Sequence, residues 1–198
     1  MFRPCGRDAT APNAGQNYVL HVSTIEYLRV TQIEETGPCD ELFREYISWW
    51  QEQMWSVHGK SYDDALIEQA HLDFRGEWPK MLNDPGRLYL VRVEGTPVGV
   101  VGLKPVSGSE AEIKRMYLRA ECRGVGIAEG LLKFVLSDAR REGFATVRLD
   151  SFDFMTGAHR LYRKVGFRDS EPFADFEGSD DPDLIAMRLF MRLELASH

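Results

Sequence analysis

The feature that most constrains this chain is Arg123-Gly124-Val125-Gly126-Ile127-Ala128, set between two stretches of different apolar period. Before it, residues 111–118 alternate as a strand does. After it, Ala128, Leu131, Leu132, Val135 and Ala139 recur at helical spacing up to Gly143, a glycine of the kind that closes helices. A strand that feeds a helix through a glycine loop commits the chain to layered α/β packing. The first N–H groups of that helix have no intrahelical partner and carry partial positive charge, so they can hold a phosphate, and the glycines let it approach. A tight turn that needs glycine for geometry alone is the competing explanation.

The flanking patterns extend this unit. Leu28, Val30 and Ile33 follow strand alternation over residues 27–33. Leu42, Phe43, Tyr46, Ile47, Trp50 and Met54 predict an amphipathic helix with Asp40 as N-cap, and Ser61-Tyr62-Asp63-Asp64 predicts a second helix start. Residues 87–104 read as a β-hairpin turning at Glu94-Gly95. Val147 and Leu149 mark a further strand, Ala158, Leu161 and Tyr162 a short helix ending at Gly166, and residues 184–195 a closing strand after the acidic loop 177–183.

Spacing tests other phosphate-binding motifs. The dinucleotide fingerprint would need glycine where Glu129 stands, and Gly59-Lys60-Ser61 lacks the first glycine of a P-loop, whose place is taken by Met54 inside a helical pattern.

Glu112-Ile113-Lys114-Arg115-Met116-Tyr117-Leu118, the glycine loop, and Ala158 through Leu161-Tyr162 to Gly166-Phe167 together resemble the GNAT superfamily of acyl-CoA N-acyltransferases. The loop matches the family's R/Q-x-x-G-x-G/A signature, and the later A-x-x-L-Y-x-x-x-G-F matches its acyl-CoA-side helix. The likeness is strong over residues 111–167 and extends more weakly over 27–195. It implies an α/β (α+β) fold, a mixed and largely antiparallel central sheet flanked by helices, with a splayed strand pair at the acyl-CoA site.

The resemblance also implies roles. Met116, Tyr117 and Leu118 would line the pantetheine arm as a strand lines an added strand. The amides of Gly124, Val125, Gly126, Ile127 and Ala128 would hold the pyrophosphate, supported by Arg123. Lys133, Arg160 and Lys164 are alternatives for the nucleotide phosphates. Tyr162 would be the general acid, since a phenol is protonated at neutral pH and can donate to a leaving thiolate. Glu112, directly or through water, would deprotonate the amine, with Glu110 and Asp150 as substitutes. Some members of that family carry an asparagine near the start of the late helix, where this chain has Met155. Acetyl-CoA is the implied co-substrate and a primary amine the acceptor; the alternative is a non-catalytic CoA-binding regulatory module of the same fold.

Composition sets the bounds. In 198 residues, 43% hydrophobic content supports a buried core, and 24 basic against 31 acidic residues give a net charge of −7 that repels nucleic acid. The longest apolar run, residues 97–103, is far shorter than the ~20 residues needed to cross a bilayer. Three cysteines without a C-x-x-C pair suit a reducing cytoplasm, and no metal-ligand spacing is present among the histidines. Cys122 has no activating histidine near it in sequence to support an acyl-cysteine. Tyr46, Trp49, Trp50 and Trp55 are candidates to wall an acceptor pocket, and residues 40–86 its acceptor side. Residues 1–22 read as a loose extension preceding one domain over 23–198, and a homodimer through the terminal strand or this extension is possible.

Overall fold

The computed structural model describes residues 24–176 and 182–195. In chain order these form β1 (Ile25–Val30), α1 (Gly37–His58), α2 (Asp64–Leu82), β2 (Arg87–Val93), β3 (Thr96–Pro105), β4 (Glu110–Leu118), α3 (Ile127–Arg141), β5 (Thr146–Phe152), α4 (Thr156–Val165), β6 (Arg168–Ser170), α5 (Pro182–Ala186) and β7 (Arg188–Glu194). The strands make one sheet in the order β1-β2-β3-β4-β5-β7-β6. Every pairing is antiparallel except β4 with β5. The expected mixed, largely antiparallel sheet flanked by helices is what the chain adopts.

Both faces of the sheet are covered. On one, Leu131, Leu132 and Val135 of α3 pack against Val91, Val101 and Ile113. On the other, Phe43 of α1 and Phe74 and Trp78 of α2 pack against Leu88, Leu90 and Val100. Each such side chain contributes roughly 1.5–3 kcal/mol when fully buried. α2 comes so close that a Cβ at Gly102 would lie 2.2 Å from the Met81 sulfur, which explains a glycine in the middle of β3.

β4 carries a bulge. Val100 faces Tyr117 and Gly102 faces Lys114, so Val101 opposes both Arg115 and Met116, and Arg115 adopts φ +53°. The extra residue inverts the alternation. Ahead of it, Ile113 belongs to the α3-side core and Glu112 and Lys114 point away; beyond it, Met116 and Leu118 join the α3 side and Tyr117 packs with α1 and α2.

Several local expectations need correction. α1 begins at Gly37 with Pro38 in its first turn, so Asp40 lies inside the helix rather than capping it; it meets His71 Nε2 at 2.8 Å. Asp63 does cap α2, accepting from the Leu66 amide at 2.8 Å. Ile33 lies in a 3-10 turn beyond β1, half exposed. Leu184 belongs to α5, and the short β6 had no sequence signal. Residues 1–22, Cys5 and positions 177–181 of the acidic loop lie outside the described residues. No helix among the described residues is long and apolar enough to cross a membrane.

Candidate active site

The parallel ladder between β4 and β5 is three pairs long: Glu110 with Thr146, Ala111 with Val147, and Glu112 with Arg148. Beyond it the strands part, while β5 stays paired with β7 along its whole length. The wedge between them is a cleft lined by Tyr46 of α1, Lys114, Arg115 and Met116 of β4, Asp150 and Ser151 of β5, Tyr162 of α4 and Arg188 of β7, among others. The bulge turns β4 at the point where the gap opens. The inner edge of β4 beyond Ala111 and Glu112 is thus left without a partner strand.

The glycine loop lies at the end of this edge. Gly124 and Gly126 have φ +75° and +91°, values that side-chain-bearing residues rarely adopt. A Cβ at either would meet nothing within 4 Å, so the loop faces open space. Gly126 is the N-cap of α3 and has no side chain to satisfy the first amides. Residues 123–126 are exposed, Ile127 is buried in the α3-side core and Ala128 is half-buried. Tyr117 is partly buried beside Tyr46, and Leu118 is buried with α3. The backbone here fits a pyrophosphate at the mouth of α3 and an extended arm along β4.

Arg123 is placed differently from expectation. Its Nε donates to the Leu118 carbonyl at 2.8 Å, and its guanidinium rests over Trp49 and Tyr117 at 5.4 and 5.7 Å. It braces the loop against β4 and α1. Lys133 and Lys164 both bind Glu129, at 2.8 and 2.6 Å, and these two bonds hold the Glu129 carboxyl down to about 2.

Tyr162 lies in the cleft, almost wholly buried, and burial raises its phenol well above the ordinary value, with Tyr46 and Asp150 adding to the shift. It therefore stays protonated and able to donate. Glu112 is not brought to it. Glu112 Oε2 accepts from Arg148 Nε and Nη2 at 3.1 and 3.0 Å, and Oε1 lies 2.6 Å from Lys114 Nζ. Both oxygens are committed to cations, and the residue lines a separate cavity of about 240 Å³ with Lys80, Lys104 and Asp175. Glu110 stands at the closed end of the ladder near Arg148 and Arg192. Among the described residues lining the Tyr162 cleft the one carboxylate is Asp150, which is paired with Arg188.

A polar pair that the sequence did not suggest lies beside it. Ser151 Oγ and His159 Nε2 are 3.2 Å apart, both buried, and the imidazole also bonds the Phe152 backbone. Burial and, secondarily, Arg163 lower the His159 pKa, so the ring is neutral near pH 7. The signal existed: His159 is three residues before Tyr162, hence on the same face of α4. Met155 places its sulfur 3.4 Å from Ser151 Oγ.

Of the aromatic set, Tyr46 lines the cleft. Trp49 packs on Phe154 and Arg123, Trp50 on Tyr62 and Phe152, and Trp55 is 64% exposed. Cys122 is buried in the α3-side core, and burial with Asp40 beside it pushes the Cys39 thiol up to about 12. Among the described residues no three His, Cys, Asp or Glu side chains are grouped to hold a metal ion.

Comparison with known proteins agrees with this geometry. Residues 40–167 match the family model described as the acetyltransferase (GNAT) family. An N-acetyltransferase of Escherichia coli K12 is 35% identical over 120 residues, covering 58% of this chain and 70% of that one. An N-acetyltransferase of Schizosaccharomyces pombe is 34% identical over 98 residues, 49% of this chain, which spans 58% of that relative's length. Among solved structures, the PaiA N-acetyltransferase of Thermoplasma acidophilum, determined in complex with coenzyme A, superposes with a TM-score of 0.62 at 19% identity, covering 87% of this chain and 99% of that one.

Proposed function

The chain belongs to the acetyltransferase (GNAT) family, and on that premise we propose that it transfers an acetyl group from acetyl-CoA to a primary amine by direct attack. The observation that carries this reading is the open glycine mouth of α3 beside the unpartnered edge of β4, with a buried, protonated tyrosine in the same wedge.

Acetyl-CoA supplies a thioester whose carbonyl carbon accepts the amine nitrogen as the carbon–sulfur bond breaks. The uncapped amides at Gly124 to Ala128 receive its pyrophosphate, with Arg123 holding the loop in shape. The edge amides near Tyr117 and Leu118 lie where an oxyanion would develop. Tyr162 gives its proton to the departing thiolate.

The amine arrives as an ammonium and must lose a proton before it can attack. Asp150 faces the incoming cation. Ser151 takes the proton while passing its own to the neutral His159, a relay supported by their 3.2 Å contact and by the lowered His159 pKa. This assigns the base to a different group from Glu112, whose two oxygens bind Arg148 and Lys114.

Thiol release from acetyl-CoA, followed across a broad panel of amines, tests the reading. Amine-dependent release is expected. Binding of CoA with no release for any amine would mark a non-catalytic CoA-binding module instead.

A further inference from the structure

The cleft beside Tyr162 holds an unbalanced charge. Lys114, Arg115 and Arg188 line it, with Asp150 as the one carboxylate among the described lining residues. Lys114 is answered by Glu112 at 2.6 Å, and Arg188 by Asp150. Arg115 has no such answer: among the described residues no carboxylate forms an ion pair with it. Its Nε is buried without a hydrogen-bond partner, and its guanidinium rests on the faces of Phe43 and Phe74 at 5.5 and 5.7 Å.

Arg115 is half-buried, and the fully buried cations among the described residues are compensated. Arg148 binds Glu112 and Asp175, Arg87 binds Glu142 and Asp84, and Lys104 binds Glu77. Two aromatic faces offset part of the desolvation of Arg115, but they leave its buried Nε–H without an acceptor. The residue is also the bulge residue of β4, held at φ +53° at the opening of the wedge. Arg115, Arg188 and Asp150, from three different strands, all act electrostatically on the buried Tyr46 phenol, so they converge on one place.

An anion carried by a ligand would answer this charge. In the acetyl-transfer reading, on which this inference rests, the donor's charged phosphates lie at the mouth of α3 and the arm entering the wedge is uncharged. We infer that the acceptor is an amine that also bears a carboxylate, an amino acid in the simplest case, and that Arg115 binds this carboxylate. A guanidinium matches a carboxylate with two parallel N–H bonds, and Asp150 offers the complementary charge for the ammonium of the same molecule. Transfer leaves the carboxylate unchanged: a C–N bond forms at the amine, the C–S bond breaks, and the amine proton and the thiolate's new proton travel as described above.

The experiment measures kcat/KM for amino acids against their amides, pairs that differ in the negative charge and in the amine basicity it raises, in the wild type and in Arg115→Gln and Arg115→Lys, so that the amine difference cancels between variants. The wild type is expected to favour the acid of at least one pair by tenfold or more. That ratio collapses toward one in R115Q and is intermediate in R115K, which keeps the charge but not the fork; if R115Q fails to fold, R115K carries the comparison. A wild-type ratio near one for every pair, with amides still acetylated, overturns this inference and leaves acetyl transfer standing. A strong acid preference that R115Q retains also overturns it. If no amine is acetylated, thermal melting of the CoA-saturated protein decides. Stabilisation by an N-acetyl amino acid but not by its amide, lost in R115Q, upholds the anion subsite while acetyl transfer falls; no such stabilisation overturns both.

Discussion

Glu112 and Arg148 face each other as the last pair of the β4–β5 ladder and are joined through Glu112 Oε2 by two hydrogen bonds, of 3.1 and 3.0 Å. The contact stands at the apex of the wedge, where the strands begin to part. Removing Glu112 strips one carboxylate from Arg148, which keeps Asp175, and one from Lys114, so the cost is that of lost charged hydrogen bonds, about 1.5–3 kcal/mol. Glu112→Ala is expected to lower denaturant stability by that order, while the folded fraction keeps kcat within a few-fold. A loss of kcat of a hundredfold or more with stability intact would return Glu112 to the role of base.

Tyr162→Phe removes the acid and little else, because the ring packs against Phe167 with or without its hydroxyl. Turnover is expected to fall by about 10²–10⁴-fold, the usual contribution of a positioned acid, with CoA affinity retained. Equal turnover of variant and wild type across pH would remove Tyr162 from the reaction.

The base limb of the pH profile should belong to His159. Its folded pKa is lowered below 6.5, chiefly by burial, so the neutral ring persists as pH falls through 6.5 and is lost only further down. Activity is expected to decline on that more acidic side, and His159→Gln to abolish the limb together with most of the rate. Stability follows the same sign. The unfolded chain binds the proton first, so this group's contribution is full above 6.5 and lost as pH falls through the folded value. NMR titration of the ring checks the assignment: an ordinary or raised value would contradict it.

Gly126→Ala separates folding from donor binding. The added methyl meets no atom within 4 Å, so its folding cost is the φ +91° conformation alone, about 1–2 kcal/mol. The same methyl occupies the space assigned to the pyrophosphate. A KM for acetyl-CoA raised at least tenfold, with a modest drop in melting temperature, is expected; an unchanged KM would move the pyrophosphate elsewhere.

Much of this was legible in the sequence, because local period and glycine placement act over short range. The β2–β3 hairpin, the turn into α3, and the α4 end at Gly166 with φ +113° each follow from neighbouring residues. The wedge was anticipated through the family resemblance. What escaped depended on contacts distant in sequence. Glu112 looked available until Arg148, thirty-six positions away, took one of its oxygens. Arg123 reads in sequence as a support for the pyrophosphate at the loop, but its contacts with Trp49 and the Leu118 carbonyl had no sequence signal. His159 carried its signal at helical spacing but needed Ser151, on the preceding strand, to give it a task.

The bulge at Arg115 makes the register of one strand a matter of parity. Deleting the one extra residue there would restore simple alternation with Met116 and Leu118 still on the α3 side and Tyr117 still opposite, whereas a deletion beyond it would exchange odd for even downstream. An indel scan across β4, read as stability, should therefore tolerate loss of one residue best at this position and worst beyond it, in the half of the strand that carries Met116 and Leu118.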